Sequence, residues 1–273
     1  MQLTVDGKTV EAQKGQSLRE LVCGLGLDRE QLSQRPLAAR IAGEVFTLNY
    51  IPLRDKDGEG DRPSMRRAMA ASGGNIRLLR IKDSAGRDVY VRTGQFVVFL
   101  ALRQLWPEAV STMDCTLGSS AFISVTGAKD FSVSRLKAQV EQIVAQDIPL
   151  LRHRAKKEEA IARFAAEGQG DKARLLRWRS LEYCSEYSYG DYTDNFYGEM
   201  APSTGYLSVW DILPADGGFL FVYPDELEPD RPAKLSPMPQ FFSVFTEGER
   251  WCRLMNCENV ADLNELTASG KIR

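Results

Sequence analysis

The chain opens with Gln2-Leu3-Thr4-Val5-Asp6-Gly7-Lys8-Thr9-Val10-Glu11, and this stretch decides the fold of its N-terminal part. An Asp-Gly pair between two short strand-like runs is a strong signal for a β-hairpin. Ser17 follows as a helix N-cap, and Gly24 ends the short helix that begins there. Further strands are predicted at 38–41, 45–48 and 76–81. Together these elements predict a small β-rich unit that holds one main helix.

A charged, glycine-rich segment from Asp55 to Asn75 interrupts this β-rich unit. We interpret it as a mobile surface insertion, because it offers no face to bury. Limited proteolysis should therefore cut first within it.

A second part begins near Thr93, where apolar residues fall on one face of a helix. Their spacing places Phe96, Val97, Leu100 and Leu105 on that face. A proline-rich, acidic stretch from 224 to 239 predicts a linker. The remaining elements predicted in this part are helices at 134–146, 156–166, 240–255 and 260–268, and strands at 121–125, 181–187, 206–213 and 219–223.

Composition excludes several classes of function. The formal net charge is −2, so the chain as a whole does not attract nucleic acid. Its five cysteines form no Cys-x-x-Cys pair, and its one histidine, His153, is interpreted as a solvated residue of a basic helix. A zinc site built from several histidines is impossible, and we expect no metal and no cofactor.

Neither a signal peptide nor a run of about twenty apolar residues is present. We therefore expect a cytoplasmic protein with no membrane partner. The sequence also lacks a GxxxxGK[ST] phosphate loop, so this chain is not itself a P-loop kinase.

The N-terminal part resembles a TGS domain, the ubiquitin-like β-grasp module of threonyl-tRNA synthetases and several GTP-binding regulators. The matching stretches are Asp6-Gly7-Lys8-Thr9-Val10, Gly15-Gln16-Ser17-Leu18 and Leu37-Ala38-Ala39-Arg40-Ile41-Ala42-Gly43-Glu44. The resemblance implies a β-grasp domain over residues 1–82.

The second part resembles the editing domain that follows TGS in threonyl-tRNA synthetases. The likeness lies in four stretches, Ala101-Leu102-Arg103-Gln104-Leu105-Trp106-Pro107-Glu108-Ala109, Asp147-Ile148-Pro149-Leu150, Gly190-Asp191-Tyr192-Thr193-Asp194 and Pro202-Ser203-Thr204-Gly205-Tyr206. It implies an α+β fold, with an editing-like α+β domain over 93–223 and a linker with C-terminal helices over 224–273.

The C-terminal part resembles the connector of bacterial nucleoside (uridine) kinase-like proteins, in which TGS and editing-like domains precede a P-loop kinase domain. The matching stretches are Phe241-Phe242-Ser243-Val244-Phe245, Trp251-Cys252-Arg253-Leu254 and Asn259-Val260-Ala261-Asp262-Leu263-Asn264-Glu265. The partners that this resemblance implies are a C-terminal kinase domain and a tRNA or nucleotide ligand.

The editing chemistry of the synthetases is missing at the matching positions. The resemblance implies two histidines four apart on one helix, and a cysteine and a histidine four apart on a loop, because such pairs share one face and converge on a metal or a water. Here the first pair falls on Phe96 and Leu100, and the second on Phe196 and Met200. All four are apolar, so the resemblance implies a degenerate pocket and no catalytic residue. Its other members are Lys172, Asp194, Ser203 and Thr204.

A basic segment follows the first part of the editing-like domain. A solvated helical surface accounts for most such runs, and a phosphate-contacting face for RNA or nucleotide is the other interpretation. The candidate contacts are Arg152, Arg154, Arg174, Arg177 and Arg179.

Three functional hypotheses follow. The first is a non-catalytic binding or regulatory region of a nucleoside (uridine) kinase-like protein, the second a stand-alone RNA- or tRNA-binding module, and the third a residual aminoacyl-tRNA deacylase. The connector stretch favours the first hypothesis, a basic and aromatic cleft would favour the second, and the third needs a polar pocket around Lys172.

Overall fold

The structure, a computed structural model, describes residues 2–52, 63–235 and 239–271. It has the expected α+β class, with three β-sheets in the described ranges. The chain divides into two compact units. The first unit comprises Met1–Arg152 and Tyr187–Lys234, and the second comprises His153–Glu186 and Leu235–Arg273.

A five-stranded sheet forms the N-terminal part of the first unit, in the order β2-β1-β5-β3-β4. Asp6 and Gly7 have φ of 46° and 78°, which confirms the predicted hairpin turn. Helix α1 begins after Ser17, whose side chain accepts from the Glu20 amide as predicted for a cap. The bounds are β1 Gln2–Val5, β2 Lys8–Glu11, α1 Leu18–Gly24, β3 Ala38–Ile41, β4 Glu44–Thr47 and β5 Asn75–Leu79.

The expectation for the insertion Asp55–Asn75 is wrong in its second half. Residues 53–62 lie outside the described residues, but Pro63–Ser72 forms helix α2, in which Ala68 and Met69 are buried. This segment is rich in alanine, which has the highest helix propensity, and it therefore has a face to bury.

Helix α3 spans Ser84–Leu105 and is 22 residues long, so it begins well before Thr93. The early start was not predicted, because a glycine such as Gly86 usually indicates a turn. Here it permits a close approach, since a Cβ at that position would lie 2.0 Å from the Arg80 carbonyl oxygen. Val89 and Tyr90 on the same early turns are buried.

A four-stranded antiparallel sheet with the order β11-β12-β7-β6 lies in the first unit. Strand β6 was not predicted, because its serine, threonine and aspartate residues obscure its alternation. The predicted strand at 206–213 is wrong in its first half, where the Tyr90 hydroxyl donates to the Val209 carbonyl and accepts from its amide. The bounds are β6 Val110–Leu117, β7 Ser120–Thr126, helix α4 Val133–Ala145, a 3-10 turn Thr204–Tyr206, β11 Asp211–Ala215 and β12 Gly218–Val222.

A three-stranded sheet has the order β10-β9-β8. Strand β9 begins in the second unit and ends in the first. The placement of His153 in a basic helix is wrong, because this residue lies in β8, where alternate side chains of a short strand point to opposite faces. The bounds are β8 Arg152–Lys156, β9 Tyr183–Tyr189 and β10 Tyr192–Asn195.

The helices of the second unit have a small core of their own. It consists of Ala160, Phe164, Ala173, Leu176 and Cys184. The bounds are α5 Lys157–Ala166, α6 Gly170–Arg177, α7 Pro239–Leu254 and α8 Val260–Ala268.

The β-grasp part and the editing-like part of the first unit are joined by polar contacts. The Asn49 side-chain amide donates to the Pro202 carbonyl at 2.9 Å. The Arg35 guanidinium lies 3.8 Å from the centroid of the Tyr206 ring. The boundaries 1–82, 93–223 and 224–273 stay predictions. No helix in the described ranges has the length and apolarity needed to cross a membrane.

Candidate functional site

The candidate site is built around Phe96 and Leu100, which lie four residues apart on α3. This spacing puts both side chains on one face of the helix. Both residues are buried, at 0% and 1% exposure, in the core of the first unit.

Three further rings surround Phe96, and we call Phe96, Tyr187, Tyr192 and Phe196 the aromatic cluster. The centroid of Phe96 lies 5.4 Å from that of Tyr192, 6.1 Å from that of Phe196 and 6.4 Å from that of Tyr187. The interplanar angles of 50° to 65° are those of tilted and edge-to-face pairs. Such pairs contribute about 0.5–1.5 kcal/mol each beyond the area that they bury.

Tyr187 fixes the loop that carries Met200. Its hydroxyl accepts from the Met200 amide at 3.2 Å and donates to the Gly198 carbonyl at 3.3 Å. Burial raises the pKa of Tyr187, so the phenol stays neutral and holds the loop as a hydrogen-bonding group. Met200 itself is 1% exposed.

Asp194 lies at the end of β10 beside the aromatic cluster and is buried. Its carboxylate accepts from the Tyr192 hydroxyl at 3.1 Å and from the Asn195 amide at 2.7 Å. It therefore orients a ring of the cluster.

Ser203 and Thr204 are fully buried and bind the turn that follows α4. The Thr204 hydroxyl donates to the Ile143 carbonyl at 2.8 Å and accepts from the Ile148 amide at 2.9 Å. The Ser203 hydroxyl donates to the Asp147 carboxylate. These contacts account for both hydroxyls as parts of a structural junction.

Lys172 belongs to the second unit, on α6. Its ammonium lies 5.6 Å from the centroid of the Phe164 ring, which is a cation–π arrangement. That Lys172 belongs to the degenerate pocket stays a prediction.

The five candidate arginines have different surroundings. Arg152 lies in the first unit, where its Nη1 is 2.6 Å from the buried carboxylate of Glu199. Arg174 pairs with Asp262 at 2.7 Å on α8. Arg154 is exposed, with its guanidinium 4.4 Å from the centroid of the Tyr183 ring. Arg177 is exposed at the end of α6, and the backbone carbonyl of Arg179 accepts from the Lys157 ammonium.

Sequence reasoning also missed a third buried carboxylate. Glu186 is 1% exposed, and it pairs with Arg163 on α5. The His153 Nε2 lies 3.7 Å from the same carboxylate. The sequence signals the Glu186–Arg163 pair only by a glutamate at an inward position of β9. Arg163 lies more than twenty residues away, so no local pattern connects the two.

We expect no stoichiometric zinc in protein purified without an affinity tag, because the four apolar positions offer no ligand that can lose a proton. Elemental analysis of the purified protein measures this. Stoichiometric zinc that disappears on Phe196→Ala would contradict the prediction. Within the ranges that the structure describes, no three His, Cys, Asp or Glu side chains gather as a possible metal site.

Comparison with known proteins finds threonine–tRNA ligases. The ligase of Symbiobacterium thermophilum is 26% identical over 218 residues, which is 78% of this chain and 30% of the ligase. That of Carboxydothermus hydrogenoformans is 26% identical over 154 residues, or 55% of this chain and 24% of the ligase. That of Methylococcus capsulatus is 26% identical over 192 residues, or 69% of this chain and 27% of the ligase. No family model matches the chain.

The chain thus spans about three tenths of the length of the curated relatives that it matches. These homologues support a threonyl-tRNA-synthetase-like TGS and editing region, and the α+β arrangement of the structure agrees with them. They carry no information on a link to nucleoside kinases.

Proposed function

We propose that this chain is a non-catalytic binding region, related to the TGS and editing-like part of threonine–tRNA ligases, that contacts tRNA. The observation that carries this proposal is the aromatic cluster. Two of its rings, Phe96 and Phe196, stand at a helix position and a loop position at which the resemblance implies groups that bind metal or handle water.

The cluster supports the loss of hydrolysis in two ways. Its phenylalanine rings neither donate nor accept a proton, and the Tyr187 hydroxyl is already used by the backbone of Gly198 and Met200. Phe96 is also fully buried among three rings. Because protein cores are closely packed, this arrangement leaves little room for an attacking water. Both effects argue against hydrolytic turnover at these positions.

Exposed side chains of the second unit support contact with RNA. Arg154 and Tyr183 form a guanidinium–ring pair at 4.4 Å, and Trp178 is 48% exposed. Arg177, the residue before Trp178, is exposed as well. Such side chains bind phosphates and stack on unpaired bases. Arg152 and Arg174 contribute less to this proposal, because their charges are offset by nearby carboxylates.

The same proposal has a finer form, in which the chain regulates a nucleoside (uridine) kinase domain in one longer cytoplasmic protein. The connector stretch around Trp251 motivates it. The reading frame beyond Arg273 tests it, because the kinase requires a GxxxxGK[ST] loop there. A frame that continues without such a loop would remove the kinase from the proposal and leave the RNA-binding module.

We expect the double variant Arg154→Glu, Arg177→Glu to bind threonine tRNA more weakly by about tenfold to a hundredfold, because two phosphate contacts are reversed. The slope of log affinity against log salt concentration, which is negative, should become shallower by about 2. Filter binding or fluorescence anisotropy over a range of salt concentrations measures both quantities.

The matched control is Arg29→Glu, Arg67→Glu, which makes the same change of charge at two exposed arginines of the first unit. It should retain most of the affinity. Equal binding by the wild type and the Arg154, Arg177 variant would return this surface to the interpretation of a solvated face.

A further inference from the structure

A cleft of about 320 Å³ lies in the first unit, one helical turn from the aromatic cluster. It is lined by β4 through Glu44, by the first half of α3 through Asp88 and Arg92, and by the loop residues Gly198 and Glu199. Arg92 precedes Phe96 by four residues on α3, so the cleft and the cluster are neighbours along one helix face.

The base of the cleft is a fixed ion pair. Glu199 has a side chain only 4% exposed, and its carboxylate lies 2.6 Å from Arg152 Nη1. The Tyr187 hydroxyl lies 3.5 Å from the other carboxylate oxygen. Because Glu199 is held on both sides, the charges at the base are arranged before any ligand arrives.

Arg92 adds a guanidinium with donors to spare. Its Nη1 donates to the backbone carbonyl of Glu199, and it pairs with no carboxylate in the described part of the chain. Gly198, with φ of 124°, makes this position possible, since a Cβ there would lie 2.8 Å from the Arg92 Cζ. A guanidinium has five N–H groups, so it can bind a carboxylate while keeping its carbonyl partner.

The rim of the cleft carries negative charge, opposite in sign to the Arg92 guanidinium. Glu44 and Asp88 are exposed, and their carboxylates have no hydrogen bond or ion pair to any residue that the structure describes. Val45 and Val89 also line the cleft and supply its aliphatic surface. The cleft thus offers a cation for an anionic group, carboxylates for an amine, and an aliphatic surface.

The geometry points to a binding site for a small zwitterion, an α-amino acid with a short aliphatic side chain. The carboxylate of the ligand binds the Arg92 guanidinium, its ammonium binds Glu44 and Asp88, and its side chain lies against Val45 and Val89. This site does not depend on the RNA-binding proposal, since it uses none of the exposed residues of the second unit.

The test uses L-valine with two matched half-ligands, isovalerate without the amine and isobutylamine without the carboxylate. Valine in excess should raise the Tm of the full chain by a few degrees, as ligand at about a hundred times Kd does, while neither half-ligand does so at the same concentration. No shift with valine, alanine or glycine would overturn the inference. A shift with isovalerate equal to that with valine would overturn it as well, because the site would then be a simple anion site.

Valine binding by single variants tests whether the ligand binds in this cleft. Arg92→Gln should weaken valine binding by about tenfold or more, the loss of one charge-assisted interaction. Arg103→Gln is the matched control, since Arg103 lies on the same helix, donates to the Pro107 carbonyl and is outside the cleft. The exposed Glu44→Gln leaves the core untouched and should weaken valine binding in the folded protein. Unchanged affinity in both Arg92→Gln and Glu44→Gln would contradict the assignment.

Discussion

Purified protein should release serine from mischarged threonine tRNA no faster than spontaneous hydrolysis does. The reaction needs an activated water and a group that stabilises the oxyanion. Each general acid or base typically contributes about a hundredfold to ten-thousandfold in rate. Phe96, Leu100, Phe196 and Met200 supply none of these contributions, so turnover should be lost as a whole. Release of labelled serine from the charged tRNA measures the rate.

One of the similar threonine–tRNA ligases is measured in parallel on the same charged tRNA. The variant Lys172→Ala provides the internal comparison, because Lys172 and Asp194 are the two ionisable side chains that the resemblance implies for the degenerate pocket. Multiple turnover by the wild-type chain that disappears in Lys172→Ala would show a residual deacylase, and the non-catalytic proposal would have to be abandoned.

Replacement of Phe96 by alanine should destabilise the protein by about 3–5 kcal/mol, the usual cost of removing a buried aromatic ring. Phe96 is fully buried and contacts three other rings, so the cavity has rigid walls and cannot collapse easily. In a chain of this size the thermal unfolding midpoint, Tm, should fall by about 10 °C. Differential scanning calorimetry of the full chain measures the change.

Phe99→Ala is the matched control, because Phe99 lies on the same helix but is only partly buried. Its midpoint should fall by less than half as much. If the two variants lose equal stability, the aromatic cluster is not the rigid core element that we describe, and the argument from packing against hydrolysis loses its basis.

Local signals in the sequence were sufficient for much of the fold. The Asp6-Gly7 turn and the Ser17 cap are determined by residues within four positions of each other, so they could be predicted without tertiary information. The start of α3 could not, because Gly86 is explained only by its approach to the backbone of Arg80. Strand β6 was missed because its polar residues do not follow a regular pattern.

The candidate site was predictable to a smaller extent. The resemblance supplied Phe96 and Phe196, and the structure places their ring centroids 6.1 Å apart. The pair of Arg152 and Glu199 joins residues 47 positions apart, and no local pattern announces such a partner. The sequence alone indicates Arg152 only as part of a solvated basic surface or as a candidate phosphate contact, and the structure places it in an ion pair with Glu199.

The uninterrupted course of α3 has a consequence for how this protein can be cut or recombined. The helix is 22 residues long, or about 33 Å, and it starts within two residues of the predicted end of the β-grasp domain. A fragment that begins at Thr93 would lack Tyr90, whose hydroxyl holds both backbone groups of Val209. A crossover placed within α3 would break this helix, whereas one placed before Ser84 leaves the helix whole together with Tyr90 and should be tolerated.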